Sequence, residues 1–224
     1  MTRLTVDLEP LANLYQDGTE MAKSVVKNGL ACEIGGADSV MMGMGKDSDQ
    51  RRRKAISLLI DSLNICLSVR TSLDDRAIEA LQDLKPGMVV FPHHNERKDM
   101  LASAITTLQV ENILAGLEIP LDVDSVKDAA KLKCDYVILD CSSYCAARTI
   151  NAQLDELNKI VKIVGLCNRL SIGAIAQGNF TPNHISKISS GVQIEEYLLG
   201  LPFISSSLIH GYAKAIQEIR FALK

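Results

Sequence analysis

The sequence predicts an α/β protein folded as a single (β/α)8 TIM barrel over residues 1–224, on three observations. Short apolar or β-branched runs alternate with longer helical patterns eight times along the chain. Several of those runs are apolar almost throughout, as parallel strands covered on both faces are. The 224 residues suffice for one barrel, with no linker, low-complexity stretch or charged tail to divide them. Alternating units imply a parallel sheet, and eight of them favour a closed ring over an open, doubly wound sheet.

The expected strands are, in order, 4–9, 39–45, 64–70, 88–94, 112–119, 136–142, 162–169 and 195–203. Between the third and fourth, Ser72 to Asp75 supply a helix cap and an acidic first turn. Ala77, Leu81 and Leu84 then form an apolar stripe, and Pro86-Gly87 ends the helix. The closing helix is expected to carry Ile209, Tyr212, Ile216, Ile219 and Leu223 on one face.

Composition excludes several functional classes. Hydrophobic residues make up 47% and charged residues 23%, ordinary for a soluble domain, and the formal net charge of −3 leaves no basic footprint for nucleic acid. Arg51, Arg52, Arg53 and Lys54 form the one basic cluster, expected as a solvated helical face. No apolar stretch approaches the roughly 20 residues of a membrane span. The first residues enter a strand pattern directly, so a cytoplasmic protein is expected. Six cysteines, at 32, 66, 134, 141, 145 and 167, include no C-x-x-C pair and read as reduced thiols.

In a barrel, function belongs to the C-terminal ends of the strands. On the expected strands that rim collects Asp7, Glu9, Gly43, Gly45, Cys66, His93, His94, Glu118, Asp140, Cys141, Cys167, Asn168, Arg169 and Gly200. Asp7 and Glu9, two apart, would share a face as acid and base or around a cation; alternatively one pairs with Arg70 or Arg169. Cys66, His93, His94, Cys141 and Cys167 are a thiolate and imidazole set suited to a soft metal, although small buried cysteines are also ordinary core residues. His184 and His210 fall in helical stretches, read as lying away from the rim.

At these strand ends the sequence resembles the pyridoxine 5′-phosphate synthase family. LTVDLEPLANL (4–14) is similar to that family's opening strand, and GADSVMMGMGKD (36–47) to its second. LNICLSV (63–69) and LKPGMVV (84–90) follow its third strand and the approach to its fourth. Residues 120–145 resemble its fifth helix and sixth strand, and 195–216 have its spacing for the last strand, the glycine after it and the closing helix.

The resemblance implies a barrel that condenses 3-amino-2-oxopropyl phosphate with 1-deoxy-D-xylulose 5-phosphate, an oligomer, and no cofactor. Carried over by residue, it also implies that the chemistry is altered. The family's strand-2 His and Arg fall at Gly43 and Gly45, its strand-3 Glu at Cys66, and its strand-7 His and Gly at Asn168 and Arg169. The Asn, Asp and His of strand 1 fall at Asp7, Glu9 and Pro10, and the Gly-His after strand 8 at Gly200-Leu201.

The expectation is therefore a divergent member without the standard condensation. Its candidate catalytic residues are Cys66, Asp7, Glu9 and Asn168. Arg169, Gly200, Gly43 and Gly45 are expected to hold a small phosphorylated ligand. An active synthase and a Cys/His-dependent enzyme on the same barrel remain the alternatives. At least a homodimer is expected, with Leu58, Leu59 and Ile60 read as an outward apolar face.

Overall fold

The computed structural model describes residues 1–45, 49–92 and 97–223. Eight parallel strands pair in sequence order and close into a ring, β1 bonding to both β2 and β8. The first half runs β1 (Arg3–Asp7), α1 (Glu9–Ala12), α2 (Gly18–Gly35), β2 (Ser39–Gly43), α3 (Gln50–Ser62), β3 (Cys66–Arg70), α4 (Asp75–Leu84), β4 (Met88–Pro92) and α5 (Lys98–Val110). The second half runs β5 (Leu114–Ile119), α6 (Val123–Lys131), β6 (Tyr136–Asp140), α7 (Ser142–Ala146), α8 (Ile150–Arg169), β7 (Gly173–Gly178), α9 (Pro182–Ser189), β8 (Glu196–Leu199), α10 (Leu201–His210) and α11 (Tyr212–Ala222). The expected fold class is thus the observed one.

Local chemistry sets the helix ends. Asp17 caps α2 by accepting the Thr19 and Glu20 amides, Asp74 caps α4 through the Arg76 amide, and Thr149 caps α8 through Ala152. Gly36, at φ 95°, ends α2 in the left-handed conformation that glycine adopts without steric penalty.

Alternation along each strand divides the core in two. Leu4, Val6, Val40, Val69, Val89 and their neighbours face outward, into the large cluster beneath the helices. Met41, Met88, Val90, Ile138, Ile175 and Leu198 fill the barrel interior as a separate cluster. The lower end of the barrel is closed by polar side chains. Arg3 donates to the Tyr136 hydroxyl at 3.0 Å and pairs with Glu196 at 3.0 Å. Thr5 donates to the Glu196 carboxylate and shares a hydrogen bond with Ser39. A Cβ at Gly173 would lie 2.2 Å from the Tyr136 ring, so β7 must be bare where that ring crosses.

Three expectations are corrected. Residues 162–169 are the end of α8, and strand seven is Gly173–Gly178, which begins four residues after that helix ends. The closing helix is broken at Gly211, which leaves Ile209 76% exposed on α10 while Ile216 and Ile219 are buried on α11. Of Leu58, Leu59 and Ile60, only Leu58 is exposed; Leu59 is fully buried and Ile60 packs against the core.

Two outcomes follow from this packing. Met41→Ala should empty part of the interior cluster and cost about 2–5 kcal/mol, read as a lower urea midpoint. Burial pushes the Glu196 carboxyl above its ordinary range, and its bonds to Thr5 and Arg3 only partly offset this. The folded chain then binds the proton more tightly than the unfolded chain, so Glu196 costs stability as the pH rises through and above the usual carboxylate range. Glu196→Gln should therefore gain stability relative to the parent as the pH is raised from about 4 to about 7, measured by urea titration at each pH.

Candidate functional site

The upper ends of the strands carry a mouth built around Arg70, the last residue of β3. Pleat alternation turns Arg70 inward with Asp7 of β1 and Glu118 of β5. Its Nε donates to Glu118 Oε1 at 2.5 Å, and its Nη1 lies 3.5 Å from Asp7 Oδ2. Burial works against the Arg70 charge, but Glu118 and Asp7 outweigh it and hold the guanidinium protonated. Its Nη2 is buried with no hydrogen-bond partner among the described residues; an unmade bond of that kind costs about 1–3 kcal/mol. Burial pushes the Asp7 carboxyl above its ordinary range; Arg70 and the Glu9 amide, which donates to Asp7 Oδ1 at 2.9 Å, pull it back in part.

A second ion pair fills the adjoining quadrant. Glu9 opens α1, just beyond the end of β1, and its Oε2 accepts the Gly43 amide at 2.8 Å. The same oxygen pairs with Arg52 Nη1 at 2.8 Å, and that nitrogen also donates to the Gly43 carbonyl at 2.9 Å. Arg52 comes from the basic cluster expected as a solvated face. Arg51 and Arg53 do pair at the surface, with Asp49 and Asp83, and Lys54 is exposed.

The glycines of this quadrant make room for the pair. A Cβ at Gly43 would lie 2.8 Å from Glu9 Oε2, and one at Gly45 would lie 2.6 Å from the Arg52 side chain. Gly45 also sits at φ 81°, which side chains disfavour.

Across the ring, Gly178 ends β7 and Gly200 follows β8 as the residue that opens α10. The space above Gly200 is open, a Cβ there meeting only the Gly178 carbonyl, at 4.0 Å. Asp140, at the end of β6, accepts the Ser142 amide at 2.9 Å.

Asp7, Glu9, Gly43, Gly45 and Gly200 therefore share the mouth, as expected, and Asp7 takes the Arg70 partner. Cys66 does not join them. It is the first residue of β3, and four residues of strand, about 13 Å, separate it from Arg70 at the rim. Cys167, Asn168 and Arg169 end α8, ahead of β7, and so lie at the opposite end of the barrel. Cys167 is fully buried there, and Asn168 and Arg169 are exposed.

The expected cysteine and histidine set is accordingly not assembled. Cys141 is at the rim but fully buried, its thiol donating to the Leu139 carbonyl at 3.5 Å, and burial drives its pKa far upward. Burial also pushes Cys145 up to about 12 and Cys167 up to about 11. His93 and His94 lie outside the described residues. Among the described residues, no three His, Cys, Asp or Glu side chains converge to hold a metal ion.

Sequence reasoning missed the parts played by Arg52 and His184. Arg70, weighed in the sequence as a partner for Asp7 or Glu9, and Arg52 supply the cations of the mouth. His184 is nearer the rim than expected, in the first turn of α9, six residues after β7 ends. Its Nδ1 accepts the Thr181 amide at 3.3 Å, completing a reciprocal cap, and its ring meets the Tyr144 ring edge-on at 5.5 Å. Burial lowers its pKa, which keeps the ring neutral, as an accepting Nδ1 requires. The T-P-N-H spacing of a capping box was the available signal.

Solved structures share this architecture. Monomeric forms of the dimeric phosphoribosylanthranilate isomerase of Thermotoga maritima superpose with a TM-score of 0.64 at 10% identity, over 98% of this chain and 99% of that one. A cube-shaped protein cage designed by fusing symmetric oligomeric domains gives 0.70 at 14%, over 99% and 73%. At such identities the likeness shows the fold alone.

Sequence relatives say more. The pyridoxine 5′-phosphate synthase of Geotalea daltonii is 23% identical over 98% of this chain and 97% of its own length. That of Prochlorococcus marinus is 24% identical over 100% and 96%. The family model "Pyridoxal phosphate biosynthesis protein PdxJ" matches residues 4–224, and with the eight-stranded ring beneath it this chain belongs to that family.

Proposed function

We propose that this chain is a member of the pyridoxine 5′-phosphate synthase family that does not perform the ring-closing condensation and binds a small phosphorylated ligand at the β7–β8 edge of its mouth. One observation carries the first part. Gly43 stands where the resemblance puts a proton-transferring histidine, and the Glu9–Arg52 pair occupies the space such a side chain would need.

Each general acid or base typically contributes about 10²–10⁴-fold to such a reaction. Glycine supplies no proton, and Arg70, held between two carboxylates, cannot act as a base. His184, the one described histidine near the rim, is spent on a helix cap. The high thiol pKa values speak against thiolate chemistry at Cys141 and Cys145.

The ligand reading rests on the opposite edge. Phosphate sites of barrels are often formed by the loops after the seventh and eighth strands and the start of a short extra helix. Here those parts are Gly178, Gly200 and the first turn of α10, with open space above Gly200. The Leu201 amide and the positive end of the α10 dipole suit an anion there. Arg169, at the other end of the barrel, has no part in it.

Purified protein given 3-amino-2-oxopropyl phosphate and 1-deoxy-D-xylulose 5-phosphate should release no pyridoxine 5′-phosphate, and its gene should not rescue a strain lacking the synthase. Robust turnover by the unmodified chain would overturn the reading. Gly43→His should restore nothing and should cost about 1–3 kcal/mol through overpacking, seen in urea unfolding.

The ligand site has its own test, a calorimetric titration with 1-deoxy-D-xylulose 5-phosphate. Gly200→Glu should weaken binding by about fivefold or more, because one adjacent like charge is worth of order 1 kcal/mol. Arg169→Ala should leave it unchanged. Equal binding by the parent and Gly200→Glu, or loss on Arg169→Ala, counts against this location.

A further inference from the structure

A second surface, remote from the mouth, lies between α2 and α3. Ala22, Val26, Leu30 and Ile34 recur every fourth residue along the outer side of α2, and Leu58 faces them from α3. Ala22 is buried and Val26 partly so at the floor, whereas Leu30, Ile34 and Leu58 are exposed, Ile34 at 84%, so the outer part of this stripe is uncovered in the single chain. The two helices close beneath it at Gly29, where a Cβ would lie 3.1 Å from Leu59 and 3.2 Å from Leu63. Above that seam the helices diverge into a groove of about 640 Å³.

Charge identifies the occupant. The groove is lined by Lys23, Lys27 and Lys54 and by no carboxylate, although the whole chain is net negative. Lys23 pairs with Glu20 at 2.8 Å, whereas Lys27 and Lys54 have no carboxylate partner among the described residues. From Ala22 to Ile34 the floor is about 18 Å long, the length of roughly three turns of helix.

We propose that this groove docks an acidic amphipathic helix of a partner protein. Such a helix would lay apolar residues at i, i+3/i+4 and i+7 on the floor and its carboxylates against the lysines. A second copy of this chain is disfavoured as occupant. In a two-fold contact the same patch meets itself, which would set the lysines against lysines.

The test is fluorescence anisotropy with a labelled synthetic helix of about sixteen residues, leucines along one face and glutamates flanking them. Its counterpart has lysine in place of glutamate. The acidic helix should bind in a salt-sensitive manner, and the basic one about tenfold more weakly or worse. The double variant Lys27→Glu, Lys54→Glu should reverse that order, and Ile34→Asp should abolish binding of both. All three side chains are exposed, so these changes leave the core intact.

No binding of the acidic helix, or equal binding of the two, would overturn the proposal. So would a dimer in light scattering that Ile34→Asp dissociates, which would make the occupant a second copy. Binding to phosphatidylglycerol vesicles in preference to the helix would assign the groove to a lipid surface instead and also overturn it.

Discussion

Ring closure is the constraint on which everything else here depends. Because β1 bonds to β8 as well as to β2, no strand has a free edge, and the pleat of each is locked to its neighbours. Inward and outward positions are thereby fixed all around the ring. The middle layer of inward residues is apolar and holds the barrel together. The two end layers are polar, and they differ. The lower one is closed by Arg3, Glu196, Thr5, Ser39 and Tyr136, which bond one another. The upper one holds Asp7, Arg70 and Glu118 in a bridge open to the mouth.

The mouth is organised by charge pairing that is not there for stability alone. Taking carboxylates and guanidinium groups out of water is costly, and pairing repays that cost only with good geometry. The buried, unpartnered Arg70 Nη2 and the raised Asp7 pKa are signs that repayment is incomplete. The same mouth has glycines at positions 43 and 45, and Glu9 and Arg52 occupy the volume that side chains there would need. The two features are coupled, since a side chain at Gly43 would meet Glu9 and one at Gly45 would meet Arg52.

The helical layer outside the ring has a different logic. Most helices bury one stripe against the sheet and present polar residues to water. Along α2, Leu30 and Ile34 remain uncovered at the outer edge of an apolar groove bordered by lysines. This surface is physically independent of the mouth, so the functions assigned to the two stand or fall separately.

How much of this was legible in the sequence can be judged from particular elements. The β-branched runs at 39–45, 88–94 and 136–142 located their strands to within two residues at each end, because parallel strands buried on both faces leave a continuous apolar signature. The Asp7–Arg70 pairing was also within reach, both residues standing at the ends of recognised strands. Strand seven was not. GAIAQG is small and glycine-containing, whereas KIVGLCNR before it has the apolar content of a strand. Yet Ile160, Ile163, Val164 and Cys167 follow helical spacing, and that period was the better guide. The small residues of β7 make sense only once the ring is closed, when Tyr136 of the neighbouring strand crosses Gly173. Composition and periodicity thus determined the fold class, the order of its units and which end of the barrel to search. Tertiary structure alone decided which side chains meet at that end. A misplaced strand carries its residues to the opposite face, and the glycines at 43 and 45 are intelligible only beside Glu9 and Arg52.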